Sequence, residues 1–275
     1  MQEKINIREG NDILAKVDFA KLKDEIRAVN SKTTDAKDSS TCLTEFLKLL
    51  SNLANNSTTY TQEQLASLTM SLQNWMIRKD WTTCNTPVKI GDIFYADLGN
   101  CYKPELAYPH PVVILEDIAG MVMVAPVTTS KDIVDCAFHP IDNVTGKKEF
   151  RKAGTSEGFE HDCAIIISNV RTISKGRLIE KKGKMVDINI PNSVFREVKQ
   201  KAFELCFPKK FIEYRNMSDD ILTYKNTLND VISIVDDIKA DLDVLDVQDE
   251  SEKVVEVLTK INEIKVKVEQ ITKKK

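Results

Sequence analysis

At 275 residues the chain is long enough for one large domain or two small ones with proper cores. Apolar residues at 42% and charged residues at 29% exclude global disorder. The formal net charge of -3 excludes a global pull toward nucleic acid, so any RNA affinity has to come from a local patch.

The six cysteines, Cys42, Cys84, Cys101, Cys136, Cys163 and Cys206, form no CxxC pair and no zinc-site spacing. Several sit in apolar stretches, where a free thiol behaves as a small core residue. A reducing, cytosolic compartment fits them. Residues 1–12 hold no apolar segment, which argues against a secretory signal. No run approaches the roughly 18 apolar residues of a membrane span, so none is expected.

From Ile13 to Asp80 the pattern is helical. Ile13, Val17, Leu22, Ile26 and Val29 form one stripe. Leu43, Phe46, Leu47, Leu50 and Leu53 form a second, and Leu65, Leu68, Leu72, Trp75 and Met76 a third. Polar stretches at Ser31–Ser40 and Asn55–Thr61 separate them, which predicts three helices.

Between Cys84 and Phe207 the character changes to short strands. Val88–Leu98 opens a strand-like segment after Pro87. Pro111–Leu115 and Met121–Pro126 are apolar, β-branched runs split by a turn at Gly120, which predicts adjacent strands. Phe138–Ile141 is a short candidate strand, and Cys163–Ser168 is apolar enough to be central. Arg177–Lys181 and Met185–Asp187 are two further short strands. Ser193–Cys206 closes the region as a helix with Val194, Val198, Ala202 and Leu205 on one face. Many short strands and one closing helix predict a barrel or a strongly curved sheet.

From Asn216 to Lys275 the pattern is helical again. Ile221, Tyr224, Leu228, Val231, Val235, Ile238, Leu242 and Leu245 step by threes and fours. Val254, Val257, Ile261, Ile264, Val268 and Ile271 do the same. The break at Asp246–Ser251 predicts a helical hairpin. Its first arm is rich in aspartate and its second in lysine, a modest aid to antiparallel pairing where the charges are exposed. These charges are read either as a solvent face on a bundle or as a regulatory or partner-binding arm.

Four motifs of the middle region occur in a telling order. They are VKIGDIFYADL at 88–98, PHPVVIL at 109–115, VAPVTTS at 124–130 and CAIIISNVRTISKGRL at 163–178. Together they resemble the MazF/PemK family of type II toxin endoribonucleases over about residues 88–207. The flanking helical regions have no part in the resemblance. It implies an SH3-like small β-barrel at 84–213; with the helical periodicity on either side, the expected chain is multidomain α and β, with N-terminal helices at 1–83 and a heptad-patterned hairpin or coiled coil at 214–275. It also implies metal-independent cleavage of single-stranded RNA without a cofactor, a homodimer, a cognate antitoxin protein, and no membrane partner.

Such cleavage needs a base for the 2'-OH, an acid for the leaving 5'-oxygen, and donors for the phosphorane. The resemblance carries these roles to His110, Thr128 and Glu105. His110 stands where the family has an arginine directly before the proline of the second strand. Arginine is a permanent bidentate phosphate fork; histidine clamps less well but shuttles protons near neutral pH. The site is therefore either active with a sharper pH dependence or no longer catalytic. Read on residues alone, His110 is equally a structural histidine beside a proline, Thr128 a strand end, and Glu105 a surface glutamate.

Lys103, Lys131, Arg171, Lys175 and Arg177 are candidate phosphate contacts, with Thr129 and Ser130 as neighbours of Thr128. Arg171 and Arg177 match positions with an alternative structural role. Tyr102 and Tyr108 are candidate base-stacking residues. His139 and His161 show no metal-ligand spacing, and no metal site is expected. Three functions remain open: an endoribonuclease toxin, a catalytically inactive barrel that binds RNA or protein, and a helical scaffold with the barrel as a spacer.

Overall fold

The computed structural model describes residues 16–243, 255–257, 259–264 and 266–267. The positions expected at Ile13, Leu245, Val254, Val268 and Ile271, and the break at Asp246–Ser251, lie outside these residues. The chain divides between Ile188 and Asn189 into two compact units.

The first unit opens with the three expected helices: α1 (Phe19–Arg27), α2 (Ser40–Ser57) and α3 (Gln62–Arg78). Each begins at a side-chain cap, where an oxygen satisfies backbone N–H groups that have no intrahelical partner. Asp18 accepts from the amides of Ala20 and Lys21, and Ser39 accepts from that of Cys42. Thr61 and Gln64 form a reciprocal capping box. Glu45 of α2 is buried; it accepts from the Asp18 amide and pairs with Lys48, which lowers its carboxyl pKa. The predicted apolar stripes are largely uncovered, with Leu43, Phe46, Leu47, Leu50, Trp75 and Met76 all exposed.

Eight strands follow: β1 (Asp92–Asp97), β2 (Pro109–Ile118), β3 (Met121–Thr128), β4 (Ala137–Phe138), β5 (Lys147–Ala153), β6 (Cys163–Ile166), β7 (Arg171–Ser174) and β8 (Leu178–Lys184). Their order is β4-β5-β6-β3-β2-β1-β8, with β7 pairing β3. The hydrogen-bonded path is open, because β4 and β8 are its ends. The closed barrel expected from the strand pattern is thus not formed as a continuous ring among the described residues.

The β2–β3 hairpin forms as predicted, through a two-residue turn in which Ala119 and Gly120 both take positive φ. That backbone matches the twist of the flanking strands and suits glycine at its second position. β6 is buried along its whole length between β5 and β3. β8 is one strand over Leu178–Lys184, and Met185–Asp187 forms none. Asp187 has φ 55, in the left-handed region, which interrupts extended structure. β5, β7 and a short helix α4 (Lys131–Cys136) had no expectation of their own.

One core cluster unites the strands. It contains Phe94, Ala96 and Leu98, Val112 and Ile114, Val122 and Val124, and Ile173 and Leu178. These positions alternate along β1, β2 and β3, as one face of a pleated sheet requires. Each large aliphatic buried here contributes roughly 1.5–3 kcal/mol of transfer free energy. Helix α3 is tied to this sheet. Ser71 Oγ donates to Asp97 Oδ1 at 2.8 Å, and the Arg78 guanidinium donates to the Leu178 carbonyl at 2.9 Å. A side chain at Gly176 would come within 2.4 Å of the Trp81 carbonyl oxygen, so the backbones meet there only because position 176 lacks a Cβ.

The second unit contains α5 (Val194–Cys206), capped by Ser193, and α6 (Pro208–Asp243). The buried stripe of α5 is Phe195, Val198 and Ala202; Leu205 is exposed, contrary to expectation. Phe203 packs against the rings of Phe207, Phe211 and Tyr214. Along α6 the half-buried positions are Tyr224, Thr227, Val231, Ile234 and Ile238. Ile221, Leu228 and Val235 of the predicted seam are exposed, so the seam is rotated. Lys267 lies 3.5 Å from Asp230, an ion pair joining the two predicted arms.

Candidate functional site

His110 is the second residue of β2 and lies opposite Ala96 of β1. Its side chain shares the face of Val112 and Ile114, the core face of the strand. On β3, Thr128 shares the face of Val122, Val124 and Pro126. The β2–β3 register places Val112 against Pro126, so one further step along each strand pair brings His110 level with Thr128. Arg171 lies opposite Val124 on the other side of β3. His110 and Thr128 therefore extend one core face to its polar end, and the Arg171 charge acts on His110 from the far side of β3.

The loop from Gly99 to Tyr108 covers that end. The Arg171 guanidinium donates to the Leu106 carbonyl and to Asn169 Oδ1, each at 3.0 Å, and approaches Cys101 Sγ at 3.3 Å. The Leu106 amide donates to the same Asn169 oxygen at 2.9 Å. Tyr108 closes the loop through the Leu98 and Gly99 backbones with φ 69, an uncommon conformation for a residue with a side chain. Asn169→Ala should strip both bonds from this anchor, at a cost of about 1–3 kcal/mol. Hydrogen exchange at the Leu106 amide should accelerate accordingly, while amides of β2 and β3 keep their protection.

The cover determines the state of His110. Burial holds its pKa below the ordinary histidine value, and the nearby Arg171 charge pushes the same way; a hydrogen bond with the Ala107 backbone opposes them. The imidazole is neutral at neutral pH, with a lone pair able to accept a proton. The Thr128 hydroxyl accepts from the Ser130 amide at 3.1 Å, which leaves its own proton free to donate elsewhere.

The remaining candidates divide. Glu105 is exposed and its amide bonds to the Tyr102 carbonyl; among the described residues its carboxylate has no hydrogen-bond or ion-pair partner, so it does not orient His110 here. Tyr102, Lys103, Thr129, Ser130 and Lys131 are exposed, on the loop or just past the end of β3, and Tyr108 is half-buried. Lys175 is elsewhere. It is bound to Asp117 at 2.7 Å and its amide meets the Gly120 carbonyl, at the hairpin end of β2. Seven residues of strand, roughly 23 Å, separate Asp117 from His110. Arg177 donates to the Asp97 carbonyl at 3.1 Å and faces α3. Asn169 had drawn no expectation; the only sequence signal for it was its place two residues before Arg171 in the 163–178 motif.

Residues 89–205 match the family described as PemK-like, MazF-like toxin of type II toxin-antitoxin system. Two solved structures are similar to part of the chain. One is MazE-MazF (Form-II) from Deinococcus radiodurans, at 15% identity, covering 44% of this chain and 97% of that one with a TM-score of 0.31. The other is Mycobacterium tuberculosis toxin MazF-mt6, at 19% identity, covering 42% and 96% with a TM-score of 0.28. No curated protein matches the chain.

Proposed function

From the premise that residues 89–205 carry a PemK-like, MazF-like toxin domain, we propose that the chain is a metal-independent endoribonuclease acting on single-stranded RNA. The observation that carries this reading is a half-buried His110 whose pKa is lowered by burial and by the Arg171 charge, on a strand whose register, extended by two residues, sets it level with Thr128.

In this reading His110 takes the proton of a 2'-OH, and that oxygen attacks the adjacent phosphorus. Thr128 donates to a non-bridging oxygen of the phosphorane, and the fixed positive charge of Arg171 lowers its energy through space. The bond to the 5'-oxygen breaks as that oxygen takes a proton from a solvent water, and protonated His110 returns its proton to solvent. The products are a 2',3'-cyclic phosphate and a 5'-hydroxyl. Glu105 is the one carboxylate side chain of the covering loop and takes a base role only if the loop turns it inward. Lys103, Lys131, Thr129 and Ser130 contact the backbone of the strand, and Tyr102 and Tyr108 stack its bases.

We assign the remaining features on the same basis. The three-part division at 83/84 and 213/214, a small barrel as the functional unit, and an antiparallel coiled coil at the C-terminus belong to this proposal. So do a cytoplasmic site of action, a homodimer and a cognate antitoxin. Among the described residues no helix is long and apolar enough to cross a membrane. One observation favours a second reading, an inactive domain that binds RNA or protein: His110 stands where an arginine fork is expected, and the donors of Arg171 are spent on the loop.

Incubating the full chain with long, mixed-sequence single-stranded RNA in excess EDTA distinguishes the two. Fragments carrying 2',3'-cyclic phosphate and 5'-hydroxyl ends are expected. Folded protein that binds this RNA and leaves it intact would establish the second reading instead.

A further inference from the structure

Both tryptophans of the chain, Trp75 and Trp81, line one cavity of about 490 Å³ between α3 and the end of β1. Helix α3 precedes the matched toxin region, so this cavity joins that region to a part of the chain the family match does not reach. Trp75 is 59% exposed, an unusual amount of aromatic surface to leave in water.

The charged lining is Arg78, Lys79 and Arg177 against the carboxylate of Asp97, with Lys79 already paired to Asp80. Asp97 is 5% exposed and accepts from Ser71 Oγ and from the Gly99 amide, both on Oδ1. The two guanidiniums are held in place rather than neutralised. Arg78 lies 4.7 Å from the Trp81 ring centroid and donates to the Leu178 carbonyl. Arg177 donates to the Asp97 carbonyl. Neither meets a carboxylate side chain as an ion pair among the described residues, and each has N–H groups left to give. Fixed guanidinium forks suit a phosphate, and an open indole face suits a flat heterocycle.

We infer that this cavity is a nucleotide-binding site, taking an aromatic base against Trp75 and its phosphate on Arg78 and Arg177. The inference goes beyond cleavage and does not depend on it. The nucleotide has two sources with the same chemistry: one unit of an RNA strand, or a free mononucleotide.

The two tryptophans make binding directly visible. The full chain is titrated with each of the four ribonucleoside 5'-monophosphates, and separately with a 2'-O-methyl tetranucleotide, which cannot be cleaved by 2'-OH attack. Saturable quenching of tryptophan emission is expected with at least one probe, and none with inorganic phosphate alone. Calorimetric affinity should fall about ten-fold or more in Trp75→Leu, the loss of one stacking partner. Arg177→Gln should weaken it and flatten its salt dependence. Quenching by a monophosphate assigns the site to free nucleotides, and quenching by the tetranucleotide alone assigns it to a strand. The inference is overturned if neither probe binds, or if Trp75→Leu binds as tightly as the parent with an unchanged melting midpoint.

Discussion

Replacing His110 by alanine should lower kcat/KM for RNA cleavage by about 10²- to 10⁴-fold, the usual contribution of a positioned acid–base group. Its place at the polar end of a packed face makes the loss chemical rather than structural, because the residues beneath it, Val112 and Ile114, remain fully buried. The pH dependence follows from the direction of its shift. Burial, aided by the Arg171 charge, depresses the folded pKa of His110 below its ordinary value of 6.5. The neutral base therefore persists to lower pH than a free histidine would, and the acid limb of kcat/KM should fall below pH 6.5. The sign for stability is the reverse of a salt-bridged histidine. The unfolded chain binds the proton more readily, so between the unfolded and the depressed folded pKa the native state loses stability as pH falls. Arg171→Met should move the acid limb upward by removing a like charge. A limb that stays in place in Arg171→Met, or a profile unchanged in His110→Ala, would remove His110 from the mechanism.

Much of this arrangement can be read from local pattern, and the misses have local causes. β2 and β3 are visible because β-branched runs flank a glycine turn, and their pairing then brings His110 level with Thr128. β5 is invisible because its sequence, KKEFRKA, carries charge on both faces; Arg151 is buried through long-range pairing with β6 and its place over the Phe138 ring, which no local pattern shows. β7 is too short for any alternation to register. Periodicity also fixes a stripe only to within one neighbour. On α5 it favoured Val194 where its neighbour Phe195 is buried, and on α6 it favoured Leu228 and Val235 where Thr227 and Ile234 are less exposed. The basic residues show the deeper limit. Sequence reveals that Arg171, Lys175 and Arg177 are cationic, but their partners lie 58 to 80 positions away. Those partners send one to the His110 loop, one to the hairpin and one to the α3 cavity. No local pattern distinguishes them.

Removing the ammonium of Lys181 should destabilise the sheet by about 3 kcal/mol in a urea titration of Lys181→Met. Asp92 belongs to the first toxin-like motif, yet its surroundings are structural. It is 0% exposed. One carboxylate oxygen accepts from the Lys89 amide at 2.9 Å and fixes the turn into β1. The other has no hydrogen bond of good geometry, but lies 2.8 Å from the Lys181 nitrogen on β8. Without that ammonium the second oxygen is an uncompensated charge in a dry site, where breaking a pair costs roughly 3–5 kcal/mol. The lower end applies because the Lys181 side chain is 33% exposed and water can partly replace it. Set against a total stability of about 5–15 kcal/mol, this is enough to loosen the junction of β1 and β8. Asp92→Asn/Lys181→Met should recover much of the loss, since the amide still accepts from Lys89 and no charge remains buried. If the double substitution were as unstable as the sum of the two single ones, the pair would not be coupled, and the acidic residue of the motif would need another explanation.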